Sequence, residues 1–127
     1  MPVSDLSRRR PRVVIVEDNR AAADSLWLFL GLHGYEVRVA YTAPEGVRLA
    51  PEWPADVVLC DIGLPGLDGY GVATALRRDP ATARARLIAV TGCDSDAARR
   101  RSAEVGFERH LVKPVDPDVL LRLLASR

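Results

Sequence analysis

ADVVLC at residues 55–60, running directly into DIGLPGLDGYG at residues 61–71, is the stretch that decides the fold. The first segment is apolar without alternation, which is typical of a central parallel strand covered on both faces. The second segment contains four glycines and a proline, so it predicts a loop that leads into a helix over 69–78 and ends at Asp79-Pro80. A strand, a loop and a helix in this order predict one βα unit.

The same alternation of strand and helix extends along the chain from Arg12 onward. Five βα units predict an α/β fold, (βα)₅, in which right-handed crossovers build a doubly wound, five-stranded parallel sheet with helices on both faces. The predicted strands are 12–17, 35–40, 55–60, 85–91 and 109–113, and the predicted helices are 19–33, 43–50, 69–78, 95–105 and 117–124. Their predicted boundaries are Asn19 and Gly34 for the first helix, Pro51 and Pro54 after the second, Gly106 after the fourth, and Asp116-Pro117 before the fifth. On the last helix, Val119, Leu120, Leu123 and Leu124 are predicted to form the inner face.

Composition and length restrict the class of protein. With 127 residues and a net charge of +1, the chain is predicted to form one domain over 12–127, without direct nucleic-acid binding or membrane insertion. Residues 1–11 are polar and end in proline, so they predict a flexible arm. Cys60 and Cys93 fit no metal-binding spacing, and no secretory signal or membrane span is visible. A cytoplasmic protein without disulfides is the simplest interpretation.

Four of the five predicted strands end in polar residues. Because ligands of open α/β folds bind at the carboxyl ends of the strands, these residues are expected to meet at one edge. Lys113 is the single lysine among 18 basic residues, which indicates a position where a compact ammonium is needed and a planar guanidinium does not serve. The strand-end residues are Glu17 and Asp18 after RVVIV, Asp61 after ADVVLC, Thr91 after LIAV, and Lys113 with Pro114 after HLV.

The strand-end residues form a set suited to phosphoryl transfer. Three carboxylates at one edge repel one another unless a cation neutralises them, and oxygen ligands without His or Cys suit Mg²⁺ or Mn²⁺. Thr91 and Lys113 supply the hydroxyl donor and the positive charge that a bound phosphoryl group needs. Asp61 precedes a glycine-rich loop whose N–H groups are able to face an anion, so it is the candidate nucleophile. The alternative is that the carboxylates only cap helices and that Lys113 forms a surface ion pair; four such residues at four strand ends make that alternative less favoured.

The chain resembles the response-regulator receiver domains of bacterial two-component signalling. The resemblance covers residues 12–125 and includes a flavodoxin-like fold, as in the chemotaxis regulators. Its motifs are V-E-D-N at 16–19, D-I-G-L-P-G-L-D-G-Y at 61–70, V-T-G at 90–92 and L-V-K-P-V-D at 111–116. Any one of these motifs is weak evidence, but the four in this order and spacing are highly specific.

The resemblance implies a role for each strand-end carboxylate. Asp61 is expected to accept a phosphoryl group from a phosphohistidine of a sensor kinase or a phosphotransfer protein. The expected metal ligands are Asp18, Glu17 through water, Asp61 and the backbone carbonyl of Gly63. The protein is therefore expected to be a signalling domain that catalyses only its own phosphorylation and dephosphorylation, and to act on a downstream protein partner as a monomer or a weak homodimer.

The resemblance also implies how phosphorylation is sensed. Lys113 is expected to bind the aspartyl phosphate, and its peptide bond to Pro114 is expected to be cis. Thr91 is expected to move toward the phosphate and to change the face formed by the fourth helix, the fifth strand and the fifth helix. The switch aromatic that is usual in such domains is replaced by His110, which either switches in a pH-sensitive way or has no role. Gly63 and Cys93, which flank the path of attacking water in similar domains, offer no side chain that holds a water as Asn or Glu does, so the phosphate lifetime stays open.

Three other classes of protein remain as alternatives. A Mg²⁺-dependent phosphohydrolase with an aspartate nucleophile would carry a second acid where this chain has Gly63. A pseudo-receiver would be expected to lack Asp18, Asp61 or Lys113, and a dinucleotide-binding protein would not follow its first strand with E-D-N-R. A standalone regulator and the receiver part of a hybrid kinase both fit the motifs, and the initial Met and arm favour the former.

Several residues outside the motifs are given structural interpretations. His33 is predicted to end a helix, where the helix dipole favours it. Trp27 and Trp53 are predicted to cover edges of the core, and Arg99, Arg100 and Arg101 to form a solvated helix face.

Overall fold

The computed structural model describes residues 10–63, 68–92 and 95–126. Within these ranges five strands and five helices alternate, which confirms the predicted (βα)₅ order. Residues 1–9 of the predicted arm, Cys93 and Arg127 lie outside the described residues. The elements are β1 (Arg12–Val16), α1 (Arg20–Leu32), β2 (Glu36–Ala40), α2 (Ala43–Glu52), β3 (Val57–Asp61), α3 (Gly69–Arg78), β4 (Arg86–Thr91), α4 (Asp96–Glu104), β5 (Arg109–Val112) and α5 (Pro117–Ala125).

The five strands form one parallel sheet in the order β2-β1-β3-β4-β5. Every residue of β3 and β4 is buried, as a sheet covered on both faces requires. Along β1, side chains alternate between the two faces: Val14 and Val16 belong to the core under α2 and α3, and Val13 and Ile15 to the core under α1 and α5. The predicted three-layer sandwich is therefore confirmed.

Side-chain caps define where the helices begin. The predicted caps are confirmed at Asn19, whose side chain accepts from Ala22 N–H, and at Asp116, which accepts from the N–H groups of Asp118 and Val119. Gly34 and Gly106, which have positive φ of 93° and 109°, follow the ends of α1 and α4 as predicted. Thr42, Asp68 and Ser95 cap α2, α3 and α4. None of the helices in the described ranges is long and apolar enough to cross a membrane.

The second helix is longer than predicted. A break was expected at Pro51, but α2 includes Pro51 and continues to Glu52. Proline lacks one N–H donor, and in the last turn this removes only one bond of the helix. The next N–H groups still bond to the helix, since Trp53 donates to the carbonyl of Leu49. The helix therefore tolerates Pro51 and ends before Pro54.

The inner face of α5 is narrower than predicted. Leu120 and Leu124 are buried, and Leu123 is half-buried. Val119 was predicted to face the core, but it is 38% exposed. Residues four apart on a helix lie on one face, so Leu120 and Leu124 define the centre of the buried stripe. Val119 lies at the margin of that stripe and lines a cavity described below.

Arg86 connects α5 to the sheet. It is the first residue of β4, so it lies at the end of the sheet away from the strand-end residues. Its guanidinium is buried in β4 and pairs with Glu108 at 2.9 Å. It also donates to the carbonyls of Leu123 and Leu124 in the last turn of α5. This role could not be predicted, because the strand pattern assigns position 86 to an otherwise apolar run.

Candidate functional site

The predicted carboxylates meet at the carboxyl edge of the sheet. In the register of β1 and β3, Val16 is opposite Cys60, so the next residues on the two neighbouring strands, Glu17 and Asp61, lie side by side. One ligand atom from each of Glu17, Asp18 and Asp61 lies within 4.8 Å of the others. Glu17 and Asp61 are buried, whereas Asp18 is exposed, which leaves the cluster open to solvent on one side.

Lys113 reaches this cluster from the end of β5. Its Nζ lies 2.8 Å from Glu17 Oε1 and 3.0 Å from Asp61 Oδ2. The backbone holds the lysine in place, because its N–H donates to the carbonyl of Thr91 at 2.7 Å. The peptide bond between Lys113 and Pro114 is cis, as predicted. The single lysine of the chain thus bridges two of the three carboxylates.

The charges of the site shift the pKa values of Glu17 and Lys113. Burial raises the pKa of Glu17; the hydrogen bonds from Lys113 and the Asn19 N–H oppose this shift, and the charge of Asp61 adds to it. Burial lowers the pKa of Lys113, but the hydrogen bonds and charges of Glu17 and Asp61 outweigh that effect, so the pKa is raised overall. Lys113 is therefore charged at neutral pH, and one ammonium faces three carboxylates. A further cation would relieve the remaining repulsion.

The donor set fits a hard divalent cation. Every candidate ligand in the cluster is a carboxylate oxygen, which suits Mg²⁺ or Mn²⁺ and does not suit zinc. The carboxylate of Asp61 is oriented from both sides, because Oδ1 accepts from Gly63 N–H at 2.8 Å and Oδ2 from Lys113. Because the carboxylate of Asp18 is exposed, solvent reaches the cluster on that side.

Thr91 ends β4 beside Lys113, and His110 lies on the neighbouring strand β5, three residues before the lysine. Thr91 is the last residue of β4 and is buried. His110 is half-buried on β5, and its Nδ1 lies 3.1 Å from the hydroxyl of Ser102 in α4. Ser102 is 1% exposed. The role of Ser102 was not predicted, although a serine within an arginine-rich helix, at a position facing the sheet, was the available signal.

A cavity of about 460 Å³ opens between α4, β5 and α5. Ser102, Phe107 and His110 line it, and Val119 lies at its margin. The face formed by α4, β5 and α5, which was predicted to change on phosphorylation, therefore contains a depression. The imidazole of His110 and the side chain of Ser102 line it.

A groove of about 690 Å³ runs between α1 and the segment that joins β5 to α5. Leu26 and Phe29 form its apolar side, and Glu17 and Lys113 lie at its end. An approaching molecule thus meets an apolar groove that ends at the carboxylate cluster.

Gly69, the first residue of α3, packs directly on the backbone that follows Asp61. A Cβ at this position would overlap Ile62 Cα and would lie 2.9 Å from the carbonyl oxygen of Asp61. The Asp68 side chain caps the helix by accepting from Gly71 N–H. The composition of the loop predicted a turn here, but it gave no sign of this close approach.

The structural interpretations of the remaining residues hold in most cases. Trp53 is buried, and His33 caps the end of α1 as its Nδ1 contacts the Phe29 carbonyl at 2.9 Å. Arg99, Arg100 and Arg101 are exposed. Trp27 was predicted to cover an edge of the core. It lies over β2, and half of its surface is exposed.

The fold and the carboxylate cluster agree with comparisons to known proteins. A family model described as the response regulator receiver domain matches residues 13–125. The chain is 34% identical to Protein PilH of Pseudomonas aeruginosa over 113 residues, which cover 89% of this chain and 93% of PilH. It is 31% identical over 87% of its length to the DNA-binding dual master transcriptional regulator RpaA of Synechocystis sp., of which it spans only 46%.

A solved structure that contains magnesium resembles the chain over most of its length. It is the receiver domain of the sensor histidine kinase PA1611 from Pseudomonas aeruginosa, with a magnesium ion coordinated in its active site cleft. The TM-score is 0.82 at 29% identity, over 91% of this chain and 94% of that domain. The chain belongs to the response-regulator receiver domain family of two-component systems. Receiver domains bind Mg²⁺ at an acidic pocket, and Glu17, Asp18 and Asp61 form an acidic cluster in this chain.

The contact between Gly69 and the Asp61–Ile62 backbone leads to a stability prediction. Gly69→Ala is expected to lower the free energy of unfolding by about 1–3 kcal/mol, because the backbone must shift to admit the methyl group. Gly31→Ala is the matched control, since nothing lies within 4 Å of a Cβ there; it is expected to raise stability by about 0.5–1 kcal/mol. Urea denaturation measures both, and equal stability of the two variants would contradict the close packing at Gly69.

Proposed function

We propose that this receiver domain accepts a phosphoryl group on Asp61 from a phosphohistidine of a sensor kinase or a histidine phosphotransfer protein. One observation carries the proposal: the Nζ of Lys113 lies within hydrogen-bonding distance of both Glu17 and Asp61. An ammonium in this position is already placed to neutralise the charge that a phosphoryl group brings to Asp61.

The proposed reaction needs little chemistry from the protein. A carboxylate oxygen of Asp61 attacks phosphorus, a P–O bond forms as the P–N bond of the phosphohistidine breaks, and the leaving imidazole nitrogen keeps the electron pair. Such a transfer depends on positioning and on charge stabilisation. Gly63 N–H and Lys113 orient the attacking carboxylate, each holding one of its oxygens. Lys113 then transfers its hydrogen bond to the phosphoryl oxygens.

Asp18, Glu17, Asp61 and the carbonyl of Gly63 are the proposed holders of Mg²⁺ or Mn²⁺. Asp18 is proposed as a direct ligand because its carboxylate is exposed, and Glu17 as an indirect one because Lys113 and Asn19 N–H already hold its oxygens. When bound, the ion neutralises charge on the phosphoryl oxygens and so favours their approach to three carboxylates.

Thr91 and His110 are proposed to transmit phosphorylation to the face formed by α4, β5 and α5. Thr91 shares a backbone hydrogen bond with Lys113, and His110 lies on the same strand three residues earlier. Movement at this point changes the wall of the cavity between α4 and α5, where Ser102 contacts His110. A downstream protein partner is proposed to read that change, and the cytoplasm, where sensor kinases present their phosphohistidine, is the proposed location.

Phosphorylation of Asp61 is tested directly by intact mass. With Mg²⁺ and a small acyl phosphate donor, the protein is expected to gain one phosphoryl group, and Asp61→Ala is expected to gain none. Asp118→Asn, which changes an exposed carboxylate on α5, is the matched control and is expected to behave like the unchanged protein. Addition of a chelator before the donor is expected to prevent the gain.

Two results would reject this proposal in different ways. Sustained turnover of the donor, far beyond the decay of the adduct, would identify a phosphohydrolase. Absence of any adduct in a folded protein that binds Mg²⁺ would identify a pseudo-receiver that binds its partners without phosphorylation.

The bridge formed by Lys113 leads to a second prediction. Lys113→Met leaves Glu17 and Asp61 without their ammonium, so the phosphorylation rate is expected to fall at least about tenfold. The free energy of unfolding is expected to fall by about 1–2 kcal/mol, less than for a fully buried pair because Lys113 is partly exposed. Arg48→Met removes the exposed pair with Glu52 and is expected to cost less than about 0.5 kcal/mol. An unchanged phosphorylation rate in Lys113→Met would contradict the role of the lysine.

The contact of His110 with Ser102 leads to a third prediction. His110→Ala is expected to accept the phosphoryl group normally, but to lose at least about half of the phosphorylation-dependent amide shifts in α4 and α5. His33→Ala changes the other histidine of the chain, at the end of α1, and is expected to retain those shifts. Two-dimensional amide spectra of the phosphorylated proteins give the readout, and full shifts in His110→Ala would exclude a switching role.

A further inference from the structure

The fourth helix is held to the sheet differently from the other four. Each of α1, α2, α3 and α5 buries at least two hydrophobic side chains, such as Ala23 and Leu30 on α1 and Leu120 and Leu124 on α5. In α4, by contrast, Ser102 is the one buried residue. Burial of an apolar face supplies most of the stability of a helix in a folded protein. α4 therefore lacks the contribution on which the other helices of the described ranges depend.

The side of the sheet under α4 carries the residues that are proposed to transmit phosphorylation. Alternate residues of a strand point to the same face, so Thr91 shares the side of β4 on which Ala89 lies. His110 is the partner of Ala89 in the register of β4 and β5, and it points to that side as well. The hydroxyl of Ser102 meets His110 there, 3.1 Å from Nδ1. α4 thus covers the side of the sheet on which Thr91 and His110 lie.

Two polar side-chain contacts connect α4 to neighbouring elements. The first is the contact of Ser102 with His110 on β5. The second joins α4 to α3, because the guanidinium of Arg101 lies over the ring of Tyr70, 4.3 Å from its centroid. A cation–π contact of an exposed arginine is weak, and a single hydrogen bond adds only modestly to stability. Both contacts are therefore able to break without disturbing the two apolar cores.

The chain that follows α4 is fixed more firmly than the helix itself. The carbonyl of Gly106 accepts from the Arg77 guanidinium at 2.8 Å, and Phe107 is buried in the core under α2 and α3. Gly106 has a φ of 109°, so the chain changes direction directly after the helix. The weakly held segment therefore ends at Gly106.

We propose that α4 is a lid that opens from the sheet as a local unit in the unphosphorylated protein, and that the two polar contacts hold it closed. α4 has nine residues, and an isolated helix shorter than about 12 residues is marginal in water, so leaving the sheet also unwinds it. Opening uncovers His110 and changes the shape of the cavity between α4, β5 and α5. It requires no phosphoryl group, so the proposal goes beyond the phosphoryl-transfer function and is tested without it.

Amide hydrogen exchange of the unphosphorylated full chain tests the opening. The protection factors of residues 100–105 are expected to be at least about tenfold lower than those in the central turns of α3 and α5. They are also expected to change little in dilute urea, because a local opening exposes little surface. Protection in β3 is expected to fall with urea, since its amides exchange through global unfolding.

Substitution of Ser102 separates the contact with His110 from helix propensity. Ser102→Ala is expected to speed the exchange of residues 100–105 at least about threefold, because the hydrogen bond to β5 is lost. Alanine is the better helix former, so a serine that acted only through propensity would give the opposite result. Thr82→Val is the matched control: it removes another buried hydroxyl, which donates to the Leu76 carbonyl, and it is expected to leave the protection of α4 unchanged.

Substitution of Arg101 tests the second contact. Arg101→Gln removes the cation over Tyr70 and is expected to speed the exchange of residues 100–105 at least about twofold. Arg100→Gln is the matched control, since it removes the same charge from the neighbouring exposed position of the same helix. It is expected to exchange like the unchanged protein.

Three results would overturn the proposal. Protection of α4 equal to that of α3 and α5, with the same dependence on urea, would show that α4 opens only with global unfolding. Unchanged or slower exchange in Ser102→Ala would show that the contact with His110 does not hold the helix. Equal effects of Arg101→Gln and Arg100→Gln would assign the second effect to charge and not to the contact with Tyr70.

Discussion

The Nζ of Lys113 lies 2.8 Å from Glu17 and 3.0 Å from Asp61, and these two contacts join the ends of β1, β3 and β5. They exist only if three strands that are distant in sequence end at one edge of the sheet. The register of β1 on β3 places the two carboxylates side by side. The hydrogen bond from Lys113 N–H to the carbonyl of Thr91 fixes the position of the lysine backbone relative to the end of β4. The geometry of the site is thus a property of strand register, and the loops only complete it.

Strand register in turn depends on the two apolar cores. Val14 and Ile15 are fully or almost fully buried on opposite faces of the sheet. A one-residue slip of β1 would move every one of its side chains to the other face. Such a slip would also move Glu17 away from Asp61. The same burial keeps Glu17 and Asp61 out of water, which raises the pKa of Glu17 and makes a neighbouring cation favourable. The core therefore positions the carboxylates, and by burying them it makes a nearby positive charge favourable. Lys113 supplies part of that charge.

The sequence was sufficient for the features that repeat and insufficient for those that depend on a single contact. Hydrophobic runs and helix caps predicted the order of elements, and strand-end placement predicted that Glu17, Asp61 and Lys113 would meet. The contact of Ser102 with His110 and the role of Arg86 were not predictable, because each joins residues whose distance in space is decided by packing. Pro51 was misjudged for a different reason: the cost of a proline in a helix depends on its distance from the helix end. Val119 was assigned to the core because a periodic pattern gives the direction of a stripe more reliably than its width.

Two glycines near Asp61 are present for different physical reasons. Gly69 is sterically required, because a Cβ there would overlap the backbone of Ile62. At Gly63 a Cβ would make only an ordinary contact with the described residues, 3.4 Å from Asp61 Oδ1. A side chain at position 63 would stand beside the carboxylate of Asp61, the proposed phosphoryl acceptor. A substitution at position 63 would therefore change the surroundings of the proposed phosphoryl acceptor Asp61, whereas a substitution at Gly69 would first disturb the backbone that carries it.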